Sequence, residues 1–125
     1  MAIVRPFKCI RPAAERIGQV AALPYDVYNR QEAAAVAAGN PYSFLRVDRA
    51  EMYFSDDVSM YDSRVYEKAR EVLEGWIRDG VYVTDEGDNY YLYQLTMNGR
   101  SQTGFVGCSS IDDYQNQVIK KHVHY

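Results

Sequence analysis

The residues best suited to chemistry lie at the end of the chain and in two short polar blocks. Lys120, Lys121 and His122 follow an amphipathic stretch from Ile111 to Ile119. Lysines and a histidine gathered after a helix can meet a phosphate or a carboxylate. The plainer reading, preferred here, is that they complement the negative C-terminal end of that helix. Asp26, in Leu23-Pro24-Tyr25-Asp26-Val27, can orient a ligand or accept nearby backbone N–H groups, and the two readings are evenly matched. Arg46, with Asp48, Arg49 and Arg5, can form an anion site. If Ser43 to Asp48 is a strand, Arg46 and Asp48 share one face and Arg49 takes the other, which favours an exposed ion pair. His122 and His124 with a cysteine make a weak zinc set, because neither Cys-x-x-Cys nor a helical His-x-x-x-His spacing occurs. Tyr25, Tyr42 and Phe44 can stack a base, but packing explains them better. The chain has no Ser/His/Asp triad, P-loop or GxGxxG. No catalytic residue and no metal site is assigned; Asp26, Arg46, Lys120, Lys121 and His122 are the ligand-binding candidates.

The elements that must position these residues follow from punctuation and period. Ile3 to Ile10 is β-prone, with Pro6 marking an edge or bulge. Pro12 suits the first position of a short helix reaching about Ala22, and Leu23 to Val27 is a turn. Asn29 caps an alanine-rich helix with Glu32 as capping-box partner; Gly39 and Pro41 end it. Ser43 to Asp48 alternates as a strand, and the acidic run Glu51 to Tyr61 reads as a mobile loop. Asp62 or Ser63 starts a long helix and Gly80 stops it. Its stripe of Val65, Ala69, Val72, Leu73, Trp76 and Ile77 has helical spacing and should face the core. Glu74 and Arg78 stand at i,i+4 on its wet side.

After Gly80 the period changes to two. Val81 to Val83 is a strand, Asp85 to Asp88 a loop, and Tyr90 to Met97 a strand. Asn98-Gly99 is a two-residue hairpin turn, and Arg100 to Ser109 returns. That turn pairs Tyr93 with Gly104, Tyr90 with Gly107, Leu92 with Phe105 and Tyr91 with Val106. Both hairpin faces are then apolar, and both should be covered. The expected fold is α+β: an antiparallel sheet with the hairpin, packed against one long helix and shorter helices, with Trp76 and Leu73 buried in that contact.

Composition narrows the function classes. The 125 residues are 47% hydrophobic and 25% charged, ordinary for one globular domain and too few for two. The net charge of -3 gives no general attraction to nucleic acid or an anionic membrane. No apolar run approaches the ~20 residues of a membrane helix, and the N-terminus lacks an apolar signal region. Cys9 and Cys108 have no framework spacing, so two reduced thiols and a cytoplasmic location are expected. Twelve tyrosines suit strands and contact surfaces.

In order, Ile3-Val4-Arg5-Pro6-Phe7-Lys8, Ala22-Leu23-Pro24-Tyr25-Asp26-Val27, Gly39 to Arg49 and Tyr93 to Gly104 resemble the start of a widespread prokaryotic family catalogued as domain of unknown function 1015. The resemblance runs from Ile3 to His122. It implies that the chain is the N-terminal portion of a longer architecture. The family's continuation carries an Asp-Gly-His-His-Arg motif similar to that of ParB-like free-serine kinases and their sulfiredoxin-fold relatives. Those kinases use a Lys-x-His-Glu segment to supply an acidic catalytic residue. Here Lys120-Lys121-His122 is followed by Val123, and Asp-Gly-His-His-Arg does not occur. The chain is therefore expected to be a non-catalytic fragment, or a structural module that pairs with itself or with a complementary chain. The alternative is part of a nucleotide-dependent, serine-type small-molecule kinase. No cofactor is expected for the chain itself, and ADP or ATP only for a full-length relative. A homo-oligomer, with tyrosines such as Tyr91 or Tyr93 in the contact, is the expected assembly.

Overall fold

A computed structural model describes residues 1–120. Its strands and α-helices in chain order are β1 (Val4–Arg5), β2 (Ile10–Pro12), α1 (Ile17–Val20), α2 (Arg30–Ala37), α3 (Leu45–Asp48), α4 (Ser63–Arg78), β3 (Tyr82–Thr84), β4 (Tyr91–Met97), β5 (Arg100–Val106), β6 (Cys108–Ser109) and α5 (Ile111–Gln115), with 3₁₀ turns at Ala14–Arg16, Tyr25–Val27 and Ala50–Tyr53. The class is α+β, as the periodicity indicates. Among the described residues the strands form three two-stranded sheets, β1–β6, β2–β3 and β4–β5, where one larger sheet was expected. The chain divides into two compact units, Ile10–Val83 and the joined segments Met1–Cys9 and Thr84–Tyr125.

The Ile10–Val83 unit is built around α4. Asp62 caps the helix by accepting the Arg64 N–H at 2.9 Å, and Gly80, at φ 79°, ends it in the left-handed region that glycine adopts without a Cβ penalty. Val65 and Trp76 are buried, and Leu73 and Ile77 are half-buried beside them. Trp76 stacks on Tyr82 at 5.9 Å and meets the Tyr42 ring edge-on at 6.4 Å. A second cluster joins Val65 to Ala50 and Val58. On the wet side Glu74 pairs with Arg70 at 3.0 Å, whereas Arg78 turns to Asp79; the expected Glu74–Arg78 pair does not form. The capping box of α2 is complete: Asn29 Oδ1 accepts the Glu32 N–H at 2.8 Å and Glu32 accepts the Asn29 N–H at 2.9 Å.

Three further expectations are corrected in this unit. Pro12 ends strand β2 and does not open a helix; Ala13 then donates its N–H to Val81 O, and helical structure begins at Ala14. Ser43 to Asp48 is not a strand. Asn40 turns the chain by accepting the Tyr42 N–H, the buried Ser43 hydroxyl accepts the Leu45 N–H, and α3 follows with Leu45 fully buried. A short alternating apolar run fits one buried helical turn as well as a strand. Glu51 to Tyr61 is not an open loop. Arg30, at the start of α2, donates to the carbonyls of Glu51, Phe54, Ser55 and Val58, and so fixes the path of the segment.

In the other unit the hairpin has the expected register. Tyr91 faces Val106, Leu92 faces Phe105, and Tyr93 faces Gly104. Asn98 (φ 52°) and Gly99 (φ 77°) are both left-handed, the requirement of the two-residue turn that matches strand twist. At the base, Gly107 is approached so closely that a Cβ there would lie 2.6 Å from Val4 Cγ1 and 3.3 Å from Tyr90 Cδ1. A larger residue there would have to push Val4 or Tyr90 aside where β1 closes over β6. Helix α5 is shorter than the pattern from Ile111 to Ile119. Gln117 (φ 61°) is left-handed, and Val118 donates back to Asp113 O while Gln117 donates to Tyr114 O, a Schellman stop.

Candidate functional site

Each basic candidate in the Ile10–Val83 unit has a structural task. Arg46 stands on α3, and its guanidinium donates to Ala37 O (2.8 Å) and Asn40 O (3.0 Å), satisfying carbonyls at and just past the C-terminus of α2. It also donates to the Tyr53 hydroxyl at 3.1 Å and lies over that ring. Arg49 is buried and pairs with the buried Glu51 at 2.5 Å, with Nη1 donating to Tyr25 O and Tyr28 O. In the expected surface set of Arg46, Asp48 and Arg49, both arginines are engaged with groups of their own unit. They are internal ties, because α3 turns their side chains toward the ends of neighbouring segments.

Asp26 lies in the Tyr25–Val27 turn and is exposed; the turn is closed by Val27 N–H to Pro24 O. Arg49 reaches this turn through Tyr25 O, not through the Asp26 carboxylate. Lys120 is exposed and lies beyond the Schellman stop, so it is not on the last turn of α5. Lys121, His122 and His124 lie outside the described residues. Among the described residues no group of His, Cys, Asp and Glu could hold a metal ion. No helix there is long and apolar enough to cross a membrane.

Sequence reasoning did not single out Arg30, and it placed Glu51 only in an acidic loop. It also missed a polar centre in the Met1–Cys9/Thr84–Tyr125 unit. Tyr91 Oη accepts the Cys9 N–H at 2.9 Å and lies 2.6 Å from Asp85 Oδ2 and 3.2 Å from Phe7 O. Desolvation and the Asp85 carboxylate raise its phenol pKa, so it stays a neutral donor. The Phe7 ring packs on it at 5.1 Å. This centre anchors the hairpin base.

Two apolar surfaces remain open. A cleft of about 410 Å³ in the Ile10–Val83 unit is lined by Ile10, Val20, Phe44, Leu73, Ile77 and Tyr82 among others. Burial raises the Tyr82 phenol pKa, and the negative charge of Asp48 adds to the shift. The hairpin is the larger surprise, because large apolar side chains on both of its faces are exposed. Met97 is 75% exposed, Tyr93 61% and Leu95 59%, all on one face of β4; Leu92 (77%) and Phe105 (63%) are bare on the other. Beside the turn, Leu95, Met97, Asn98, Arg100 and Gln102 line a groove of about 630 Å³.

The described basic candidates Arg46 and Arg49 are held by groups of their own unit. The other unit offers an anchored hairpin with apolar side chains in water. Comparison with curated proteins and with solved structures gives no match. A family model does match, over residues 4–123, nearly the whole chain. The chain belongs to the family described as "Protein of unknown function (DUF1015)".

Proposed function

We propose that this chain is a non-catalytic interaction module that assembles through its β4–β5 hairpin. One observation carries the reading. Five large apolar side chains, Leu92, Tyr93, Leu95, Met97 and Phe105, are exposed on a hairpin whose base is held by Tyr91 and Gly107. Exposed apolar clusters on an ordered element mark contact surfaces. The alternative, part of a nucleotide-dependent serine-type kinase, needs a positioned acid and a phosphate site. Of the basic side chains weighed for an anion site, Arg46 and Arg49 instead serve backbone carbonyls and Glu51, and Lys120 stands exposed beyond α5.

The test is the solution mass of the full chain, beside a variant with Tyr93, Leu95 and Met97 all changed to serine. The wild type should be larger than a monomer at micromolar concentration and the variant monomeric, with the Trp76 environment unchanged. Neither should phosphorylate serine with ADP or ATP. A monomeric wild type, or phosphoserine turnover, would refute the proposal.

A further inference from the structure

The two edges of the hairpin differ. Its two-residue turn closes on Met97 and Arg100 as a hydrogen-bonded pair, and inward and outward pairs alternate from there. Along β4, the N–H and C=O groups of Leu92, Gln94 and Thr96 therefore point away from β5. Along β5, those of Ser101, Thr103 and Phe105 point away from β4. Strand β4 reads Tyr-Leu-Tyr-Gln-Leu-Thr-Met. It has no charge, proline or glycine, the residues that most often keep an edge strand from pairing. Strand β5 carries Arg100 and Gly104.

We propose that β4 pairs edge to edge and antiparallel with β4 of a second copy, about a two-fold axis at Gln94. The inference rests on the reading of the hairpin as the docking surface and names its occupant. Register follows from the outward groups. Gln94 faces Gln94 of the other copy, and Leu92 faces Thr96. The same register sets Tyr93 beside Leu95 and Tyr91 beside Met97 across the new seam, so the apolar faces of both hairpins join. A two-stranded ribbon, marginal alone, becomes a four-stranded sheet. Charge favours a second copy in this direction. Arg100, at the tip, is the only charged residue of the hairpin, and the exposed Glu86 and Asp88 precede its base. Antiparallel pairing brings each tip to the other copy's base, opposite charges together. Parallel pairing would bring Arg100 toward Arg100.

Sedimentation equilibrium of the full chain tests this with a proline on each edge. Gln94→Pro and Thr103→Pro each remove one outward N–H and leave the β4–β5 ladder intact. Gln94→Pro should raise the dimer dissociation constant about 10- to 100-fold, as expected for loss of two hydrogen bonds across the axis. Thr103→Pro should leave it unchanged. Arg100→Glu should weaken the dimer at low salt, and adding Glu86→Arg with Asp88→Arg should restore it without touching the backbone. An assembly that survives Gln94→Pro, or that Thr103→Pro dissolves, or charge variants with no effect at low salt, overturns the β4 edge while the docking surface stands. A wild type monomeric at every concentration removes both.

Discussion

Glu51→Ala gives the sharpest test of the Ile10–Val83 unit. The Glu51 side chain is 3% exposed and that of Arg49 10%, with 2.5 Å between Oε1 and Nε. Removing the carboxylate leaves a buried guanidinium with only the carbonyls of Tyr25 and Tyr28 as partners. Breaking a buried pair from one side costs about 3–5 kcal/mol. The two retained carbonyl bonds place this case near the lower end, about 3 kcal/mol. For a unit of this size, each kcal/mol lowers Tm by about 4–8 °C, so the expected fall is about 12–24 °C. Trp76 is the only tryptophan and is buried in the same unit, so its fluorescence in a urea or thermal titration reports this unfolding directly. Changing Arg49 and Glu51 together to methionine should cost less than the sum of the single changes, because no uncompensated charge remains. A loss below about 1 kcal/mol for Glu51→Ala would refute the reasoning: the pair would be hydrated, and Glu51 to Tyr61 would be an open loop after all.

Three further outcomes follow from local geometry. Asn29→Ala removes one half of the capping box and should cost about 1 kcal/mol in the same fluorescence titration. Gly107→Ala places a methyl 2.6 Å from Val4 Cγ1 and should destabilise the β1–β6 closure by about 1–3 kcal/mol, read as faster amide exchange at Arg5 and Cys108. Asp62 has its pKa lowered to about 2, chiefly by the Arg64 side chain and then the Arg64 N–H. Its folded value lies below its unfolded value, so its contribution to α4 is present above about pH 4 and is lost as pH falls toward 2. An NMR titration of the Asp62 carboxyl should show that depressed midpoint, and Arg64→Ala should move it back up.

What could be read from the sequence was what a few neighbouring residues decide. Asn98-Gly99 admits one tight hairpin geometry, and the register of all seven pairs follows from it. Asn29 with Glu32, and Asp62 with Gly80, mark helix ends by hydrogen bonds a few residues long. The failures are tertiary. Glu51 looks solvated in an acidic run until Arg49 meets it from a turn of α3, and Arg30 organises carbonyls more than twenty residues away. Ser43 to Asp48 alternates, but no strand is there to receive it, and Leu45 is buried as helix instead. Among the site candidates, Arg46 was singled out as a charged residue, yet its role as a cap on α2 depends on where α3 lies. The two apolar faces of the hairpin were apparent from alternation; that Leu92, Tyr93, Leu95, Met97 and Phe105 stand exposed was not.

The central claim, that the hairpin is a contact surface, is tested most directly by backbone amide exchange across Tyr91 to Val106 as a function of chain concentration. Local protection tracks local burial and hydrogen bonding. The account predicts that Leu92, Gln94 and Thr96, whose N–H groups point outward in an isolated hairpin, become protected as concentration rises, while Ser101 and Thr103 continue to exchange quickly. Fast exchange at Leu92, Gln94 and Thr96 at every concentration, with Met97 and Leu95 still open to water, would contradict it.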